Sequence, residues 1–439
     1  MTRAGTVKVI EGREGVVEYG FEGLSGEVKA IGGYLKGKGA GRVVVHLSNS
    51  VEFLVALFAC AFYGLTPILV PTQDSVEDLA TVLKKAEADT ILVGAGSVPL
   101  TELVKLYGGL KQVVWVVART SRHMDWHEVP EGEGGNAGVA VWHEIIEEAK
   151  DDSDLPGEET GSKDTDVLIV TKGEKGVEIV KYAQENIVAA VSGQLAVLPR
   201  SYAATLQHHL TPLDTVISLA PLTDIYPLTV FLAAMYANAS LALTSVCGPQ
   251  ATYASAFKGV APTIIIALPN TLSRLVADNE SHLSGSFHKY MHDRKLQSLK
   301  NGSMPKNTLG VRDVRLVYTY DNSTGSNKAT LSASQLNSLR IFTRARIIFA
   351  HTAPEVAGAV CQTNPLDYSN RGLHPNAPSH LGPPLGCLEL KMKAQKGEED
   401  INDNKPTGNP VVTGPAVVGG EVVLNEVLTL TDNNTLAYA

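Results

Sequence analysis

One short, glycine-containing stretch of the chain has the composition of a phosphate-binding loop. It reads TKGEKG and supplies Thr171, Lys172, Gly173, Lys175 and Gly176. Glycines allow backbone N–H groups to approach a phosphate, a threonine hydroxyl can donate a hydrogen bond to it, and lysine supplies positive charge. The stretch is therefore a candidate phosphate loop, with a degenerate loop and an ordinary turn as the alternatives.

Two carboxylates work against phosphate binding at this stretch. Glu174 lies within it, and Glu178 follows it closely. At about 4 Å, two like charges repel each other by about 1 to 4 kcal/mol, depending on the local dielectric. Lys172, Lys175 and Lys181 would offset this repulsion only if their side chains point inward.

A second group of candidate residues follows a later apolar strand, in the stretch FAHTAPEVAG. It contains the hydroxyl of Thr352 and the carboxylate of Glu355.

The elements that must position these groups alternate between strand and helix. Apolar runs such as VVVHL and ILVP are separated by helical patterns, and one of these helices has Asp74 or Ser75 as its predicted N-cap. Such βαβ units build parallel sheets covered on both faces. A second α/β section begins at the strand DVLIVTKG, which places TKGEKG where a strand meets a helix. Short strands separated by Gly, Pro and Asn follow near the end.

The sequence therefore predicts an α/β fold with two layered parallel-sheet subdomains, a five-layer αβαβα-type body, and a small β-subdomain. The first subdomain covers residues 1–165 and includes an acidic linker, the second covers 166–381, and the β-subdomain covers 382–439.

Composition excludes some partners. The net charge is −9, and the basic residues form no dense block, so phosphate neutralisation gives no reason to expect a nucleic acid partner. The four cysteines are far apart, which is typical of reduced thiols in the cytoplasm.

Two apolar segments, 51–70 and 227–247, are predicted to be a buried helix followed by a core strand, not membrane spans, because each contains an internal helix breaker. Peripheral membrane contact stays open.

Several motifs along the chain resemble the adenylate-forming superfamily of AMP-binding acyl-CoA synthetases, in particular its long-chain fatty acyl-CoA synthetases. The similarity runs from about residue 20 to the end and includes VVVHLSNSVEF, Pro221 with Leu222, and TGPAVVGG. The stretch HLGPPLGCLELKM is similar to a boundary motif of the long-chain branch, matched by Gly382, Pro383, Pro384, Glu389 and Lys391.

The resemblance implies a two-step reaction, in which a carboxylate attacks the α-phosphate of ATP and a thiol then displaces AMP. The family's phosphate loop reads Thr-Ser-Gly-Thr-Thr-Gly-x-Pro-Lys-Gly. This chain keeps the first threonine and two glycines of that pattern, but Glu178 replaces the proline and Ile179 the lysine. Asp224 stands where the family has a histidine in a Pro-Leu-x-His motif.

The later motif, aromatic-Gly-x-Thr-Glu, is also incomplete. Phe349 and Thr352 match, so the resemblance implies Thr352 as a candidate nucleotide contact. Ala353 stands where the metal-binding glutamate belongs, and the resemblance implies Glu355 as the candidate Mg²⁺ ligand and catalytic residue only if two extra residues loop out. TYDNST, residues 319–324, replaces the adenine-binding Gly-Ala-Pro stretch. The resemblance further implies that the mobile C-terminal domain of the family, with its adenylation lysine, is absent.

These departures lead to the hypothesis of a pseudoenzyme that binds an acyl chain, a nucleotide or a protein partner. The alternatives are a divergent but active ATP-dependent fatty-acid–CoA ligase and a truncated product. No cofactor is assigned, and ATP or AMP with Mg²⁺ is expected only if the degenerate site still binds. The expected location is the cytoplasm, with the cytosolic face of an intracellular membrane as a further option.

Overall fold

The computed structural model describes residues 6–11, 15–117, 135–149, 165–173, 176–198, 209–245, 247, 257, 259–281, 285–300, 314–321, 330–367, 378–393, 406–431 and 435–439. Within them the strands are β1 Val7–Glu11, β2 Gly15–Tyr19, β3 Arg42–His46, β4 Thr66–Leu69, β5 Thr90–Gly94, β6 Gln112–Val116, β7 Gly138–Val141, β8 Val167–Gly173, β9 Gly176–Tyr182, β10 Thr215–Ser218, β11 Ser240–Thr244, β12 Ile264–Ile266, β13 Leu316–Tyr320, β14 Arg346–His351, β15 Cys361–Gln362, β16 Glu389–Lys393, β17 Thr407–Thr413, β18 Glu421–Val423, β19 Leu428–Leu430 and β20 Leu436–Tyr438.

The helices of the described residues are α1 Phe21–Gly37, α2 Val51–Tyr63, α3 Val76–Ala86, α4 Leu100–Leu106, α5 Trp142–Glu148, α6 Gln184–Ala196, α7 Ile225–Tyr236, α8 Pro269–Ser281, α9 Ser286–Lys300 and α10 Ala333–Thr343. Both apolar segments are a helix followed by a strand, α2 with β4 and α7 with β11, as predicted. None of the described helices is long and apolar enough to cross a membrane.

The strands form three sheets. The first has the order β7-β6-β5-β3-β4-β8-β9, and the second has the order β15-β14-β13-β12-β10-β11-β1-β2. Both are parallel except at edge strands, where β9 pairs antiparallel with β8, β2 with β1, and β15 with β14. The third sheet, β16 to β20, is antiparallel and forms the small β-subdomain.

The two parallel sheets stack in five layers with helices outside and between them. Strand β3 illustrates the packing: Val43 and Val45 join the core shared with the second sheet, whereas Val44 faces α3 and α4 on the opposite side. Because alternate residues of a strand point to opposite faces, a run of three valines is what a strand buried on both sides requires. The predicted αβαβα body is confirmed.

The division between the sheets does not coincide with residue 165. Strands β8 and β9 complete the first sheet, although they lie beyond that residue. Strands β1 and β2 belong to the second sheet, where Val7 pairs with Leu241. The two sheets are therefore interleaved along the chain.

The placement of TKGEKG between a strand and a helix was wrong. Strand β8 pairs antiparallel with β9, with Gly173 opposite Gly176, and helix α6 starts only after β9. The described residues of the stretch thus lie in the paired strands of a hairpin, and Gly176 adopts a φ of +101° that favours glycine.

Candidate functional site

A cavity of about 380 Å³ lies between the first sheet and the second. Its wall contains three of the candidate residues, Thr171, Lys172 and Thr352. The remaining described lining residues are Pro71, Gln73, Asp74, Ile169, Val170, Tyr182, Pro221, Asp224, Ile225, Tyr226, Leu268, Tyr320, Ala353 and Pro354. The fold therefore brings the hairpin strand β8 and the end of β14 to one cavity.

Lys172 is engaged by two carboxylates. Its Nζ lies 2.9 Å from Asp74 Oδ1 and 2.9 Å from Asp78 Oδ2. The hydrogen bond with Asp74 contributes most, and that with Asp78 next, to raising the pKa of Lys172. Helix α3 explains the arrangement, because Ser75 Oγ caps it by accepting from the N–H of Asp78, which leaves the Asp74 side chain free for Lys172.

The other basic groups near the hairpin give little positive charge to the cavity. Lys181 Nζ lies 2.6 Å from Asp166 Oδ2. Lys175 lies outside the described residues. Glu178 covers Gly173, since its Oε1 is 2.6 Å from the position that a β-carbon would take on that glycine. A carboxylate thus lies against the glycine face that a phosphate would have to approach.

Thr352 uses its donors within the protein. Its hydroxyl donates to the backbone oxygen of Asp321 at 2.6 Å, and its N–H donates to Asp321 Oδ1 at 2.7 Å. Only 8% of the residue is exposed. The side chain lies at the cavity wall, but a nucleotide phosphate would have to displace Asp321 to gain these donors.

Asp321 is the centre of a buried polar network that sequence reasoning missed. Its Oδ2 lies 2.5 Å from His351 Nδ1 and accepts a hydrogen bond from the hydroxyl of Tyr438 at 2.7 Å. On the other side of the imidazole, Nε2 lies 3.0 Å from Glu426 Oε2. The network ties the ends of β13 and β14 to the small β-subdomain. The feature of the sequence that could have indicated this network is the aspartate of TYDNST, which stands where the resemblance implies Gly-Ala-Pro.

The network favours a charged imidazole. Burial alone would lower the pKa of His351, but the facing carboxylates of Asp321 and Glu426 outweigh it and raise that pKa to about 9. The position at which the resemblance implies adenine binding is therefore bordered by an internal ion-pair network.

Glu355 lies beside the cavity and not in its wall. The residue is exposed, and its backbone oxygen accepts from the N–H of Val418 at 2.8 Å. Residues 352–359 form a loop between His351 and Val360, and the N–H of Val360 donates to the backbone oxygen of His351 at 2.8 Å. Across the described part of the chain, no group of three or more His, Cys, Asp or Glu residues could hold a metal ion.

Asp224 puts a second carboxylate into the cavity wall, at the N-terminus of α7. The hydroxyl of Tyr320 donates to its Oδ2 at 2.5 Å. Burial raises the pKa of Asp224 to about 6, although this hydrogen bond opposes the rise. The carboxylate is therefore ionised at neutral pH in surroundings that disfavour its charge.

We predict that Asp224→Asn stabilises the protein at neutral and alkaline pH. A carboxyl whose pKa is raised by folding contributes stability below its unfolded pKa and loses it as pH rises through the folded value. The gain on substitution should reach about 1 to 3 kcal/mol at pH 8 and shrink as pH falls through about 6 towards 4. Urea unfolding at several pH values measures it. Asp278→Asn, an exposed change on α8, should show no such gain, and a destabilised Asp224→Asn at pH 8 would contradict the prediction.

The layered body and the small antiparallel sheet are the fold found in solved structures of CoA ligases. The sequence profile of the AMP-binding enzyme family matches residues 5–420. The chain therefore belongs to the AMP-binding enzyme family. No curated protein sequence matches it at a significant level.

Solved structures with this fold are distant in sequence. The anthranilate CoA ligase AuaEII in complex with anthranoyl-AMP has a TM-score of 0.72 and 15% identity over 99% of this chain and 73% of the ligase. A benzoate CoA ligase from Burkholderia xenovorans has a TM-score of 0.68 and 14% identity, covering 100% of this chain and 77% of the ligase. The inhibitor-bound N-terminal domain of FACL13 from Mycobacterium tuberculosis has a TM-score of 0.69 and 13% identity, covering 99% of this chain and 95% of that domain. These likenesses show the fold.

Proposed function

We propose that the chain is a catalytically impaired member of this family, related to the long-chain fatty acyl-CoA synthetases, that acts by binding a ligand or a protein partner. The supporting observation is the pairing of Lys172 with Asp74 and Asp78 at the candidate phosphate loop. It neutralises the cation that phosphate binding at this cavity would use.

Adenylation brings a carboxylate anion onto the α-phosphate of ATP, so it depends on positive charge and hydrogen-bond donors placed around the phosphates. In this cavity the donors of Thr352 are already used by Asp321. Asp224 adds a carboxylate at the same wall. Each of these groups would raise the cost of bringing phosphates into the site.

Pyrophosphate release tests this proposal. The full chain is incubated with ATP, Mg²⁺ and a panel of fatty acids, with benzoate and anthranilate added because CoA ligases for these acids share the fold. We expect no release above a reaction without protein, for the chain and for Lys172→Ala alike. Sustained release that Lys172→Ala abolishes would contradict the proposal.

The alternative, a divergent but active fatty-acid–CoA ligase, draws support from the meeting of Thr171, Lys172 and Thr352 at one cavity. It requires Lys172 to leave both of its carboxylates and Glu355 to turn towards the cavity with Mg²⁺. ATP binding in calorimetry, weakened in Glu355→Ala, would favour it, and absence of ATP binding would exclude it. An acyl chain or protein partner, a cytoplasmic location and contact with the cytosolic face of a membrane remain predictions.

A further inference from the structure

The cavity next to Lys172 carries an excess of carboxylate. Asp74 and Asp224 both line it, and the charge of Lys172 is shared between Asp74 and Asp78. His46 lies near Asp74, but burial lowers the pKa of its imidazole, so it is neutral near pH 7 and adds no compensating charge. A positively charged ligand would balance the site, and an anionic one would not.

One carboxylate oxygen in this wall has no hydrogen-bond partner. Asp74 Oδ2 is buried and unpartnered, and the Asp74 side chain is only 4% exposed. The hydroxyl oxygen of Thr171, also in the wall, is likewise buried without a partner. A buried carboxylate oxygen without a donor is costly, and a positive charge in the adjoining cavity would lower that cost through its Coulomb attraction.

Aromatic rings complete the wall. The ring centroids of Tyr226 and Tyr320 are 5.3 Å apart with an interplanar angle of 48°, and Tyr182 also lines the cavity. The negative face of an aromatic ring attracts ammonium groups. Carboxylates together with tyrosine rings are therefore typical of a site for an organic cation, and the volume of about 380 Å³ suits a small one.

We infer that this cavity binds a small organic ammonium ion, whose charged head is neutralised by Asp224 and Asp74 against the tyrosine rings. The inference rests on the proposed function, because a site that performed adenylation would have to accept phosphates in the same space. It assigns to Asp224 a binding role that explains why an ionised carboxylate is kept in this wall.

The test compares three probes of similar size and different charge: hexylammonium, hexanol and hexanoate. Calorimetry on the full chain at pH 8 should detect hexylammonium binding, with hexanol and hexanoate bound at least about tenfold more weakly or not at all. Equal binding of hexanol and hexylammonium would overturn the inference, since the charge would then contribute nothing. Absence of hexylammonium binding at millimolar concentration would overturn it as well.

Three substitutions locate the binding. Asp224→Asn and Asp74→Asn keep the side-chain shape and remove a charge, and each should weaken hexylammonium binding at least about tenfold. Asp278→Asn removes the same charge on the exposed face of α8 and should leave binding unchanged. Unchanged binding in both cavity variants would overturn the inference even if wild-type binding is present.

Pyrophosphate release from the same preparation separates the two claims. Hexylammonium binding without pyrophosphate release supports both. If neither occurs, the cation site is wrong and the proposed loss of catalysis stands. Sustained pyrophosphate release refutes the proposed function and, with it, the reason for assigning an ammonium ligand to this space.

Discussion

Replacing His351 with glutamine is expected to lower the free energy of unfolding at pH 7 by about 3 to 5 kcal/mol. The imidazole is fully buried between Asp321 and Glu426, and its removal leaves two carboxylates facing each other without a cation. Glutamine fills part of the space and its amide N–H groups can donate hydrogen bonds, but it carries no charge. Urea unfolding measures the loss.

The same histidine should make stability depend on pH. Folding raises the pKa of His351 from its ordinary value of 6.5 to about 9. Its contribution is therefore complete below about pH 6.5 and is lost as pH rises through about 9, a change of up to about 3 kcal/mol. This decline should be present in the wild type and absent in His351→Gln. His288→Gln, an exposed change on α9, should retain it, and an equal decline in His351→Gln would refute the assignment.

The network lies where the resemblance implies adenine binding. Asp321 follows β13 and His351 ends β14, so both lie at the carboxyl ends of parallel strands, where open α/β sheets bind ligands. Here these ends hold a buried ion-pair network that reaches the small β-subdomain through Glu426 and Tyr438. The chain thus uses for stability a place where the resemblance implies a nucleotide contact.

Local patterns in the sequence predicted most of the layered body. Buried strands such as β3 and the capped helix α3 are specified by adjacent residues, through valine runs and through Ser75. Sheet membership was not predictable in this way. Strand β1 pairs with β11, with Val7 opposite Leu241, and no local feature of either segment identifies the other as its partner.

The candidate site was likewise predictable only in part. Residue types in TKGEKG and FAHTAPE located two parts of the cavity wall, because strand ends of the body meet there. The charge environment of Lys172 was not predictable, since its partners are Asp74, just before helix α3, and Asp78 in the first turn of that helix, both far away in the sequence. An ion pair between residues far apart in sequence depends on side-chain directions that only the folded chain defines.

Gly382→Ala is expected to destabilise the protein by at least about 3 kcal/mol, enough to unfold a marginally stable chain. Gly382 adopts a φ of +81°, and a β-carbon there would lie 2.1 Å from the backbone oxygen of Gln362. The left-handed conformation alone costs about 1 kcal/mol for alanine, and the overlap with backbone cannot be relieved by a rotamer change. This glycine of the Gly-Pro-Pro motif is therefore explained by backbone packing.

The same substitution should also disturb the His351 network. The backbone oxygen of Gly382 accepts from the N–H of Leu436 at 3.1 Å, which holds β20 and, with it, the hydroxyl of Tyr438 against Asp321. Gly386→Ala is the matched control, because a β-carbon at that exposed glycine meets nothing within 4 Å. Urea unfolding of both variants should show a large loss for Gly382→Ala, with a shallower decline of stability between about pH 6.5 and 9, and almost no change for Gly386→Ala. Equal stability of the two variants would mean that the strand carrying Tyr438 is not anchored at Gly382.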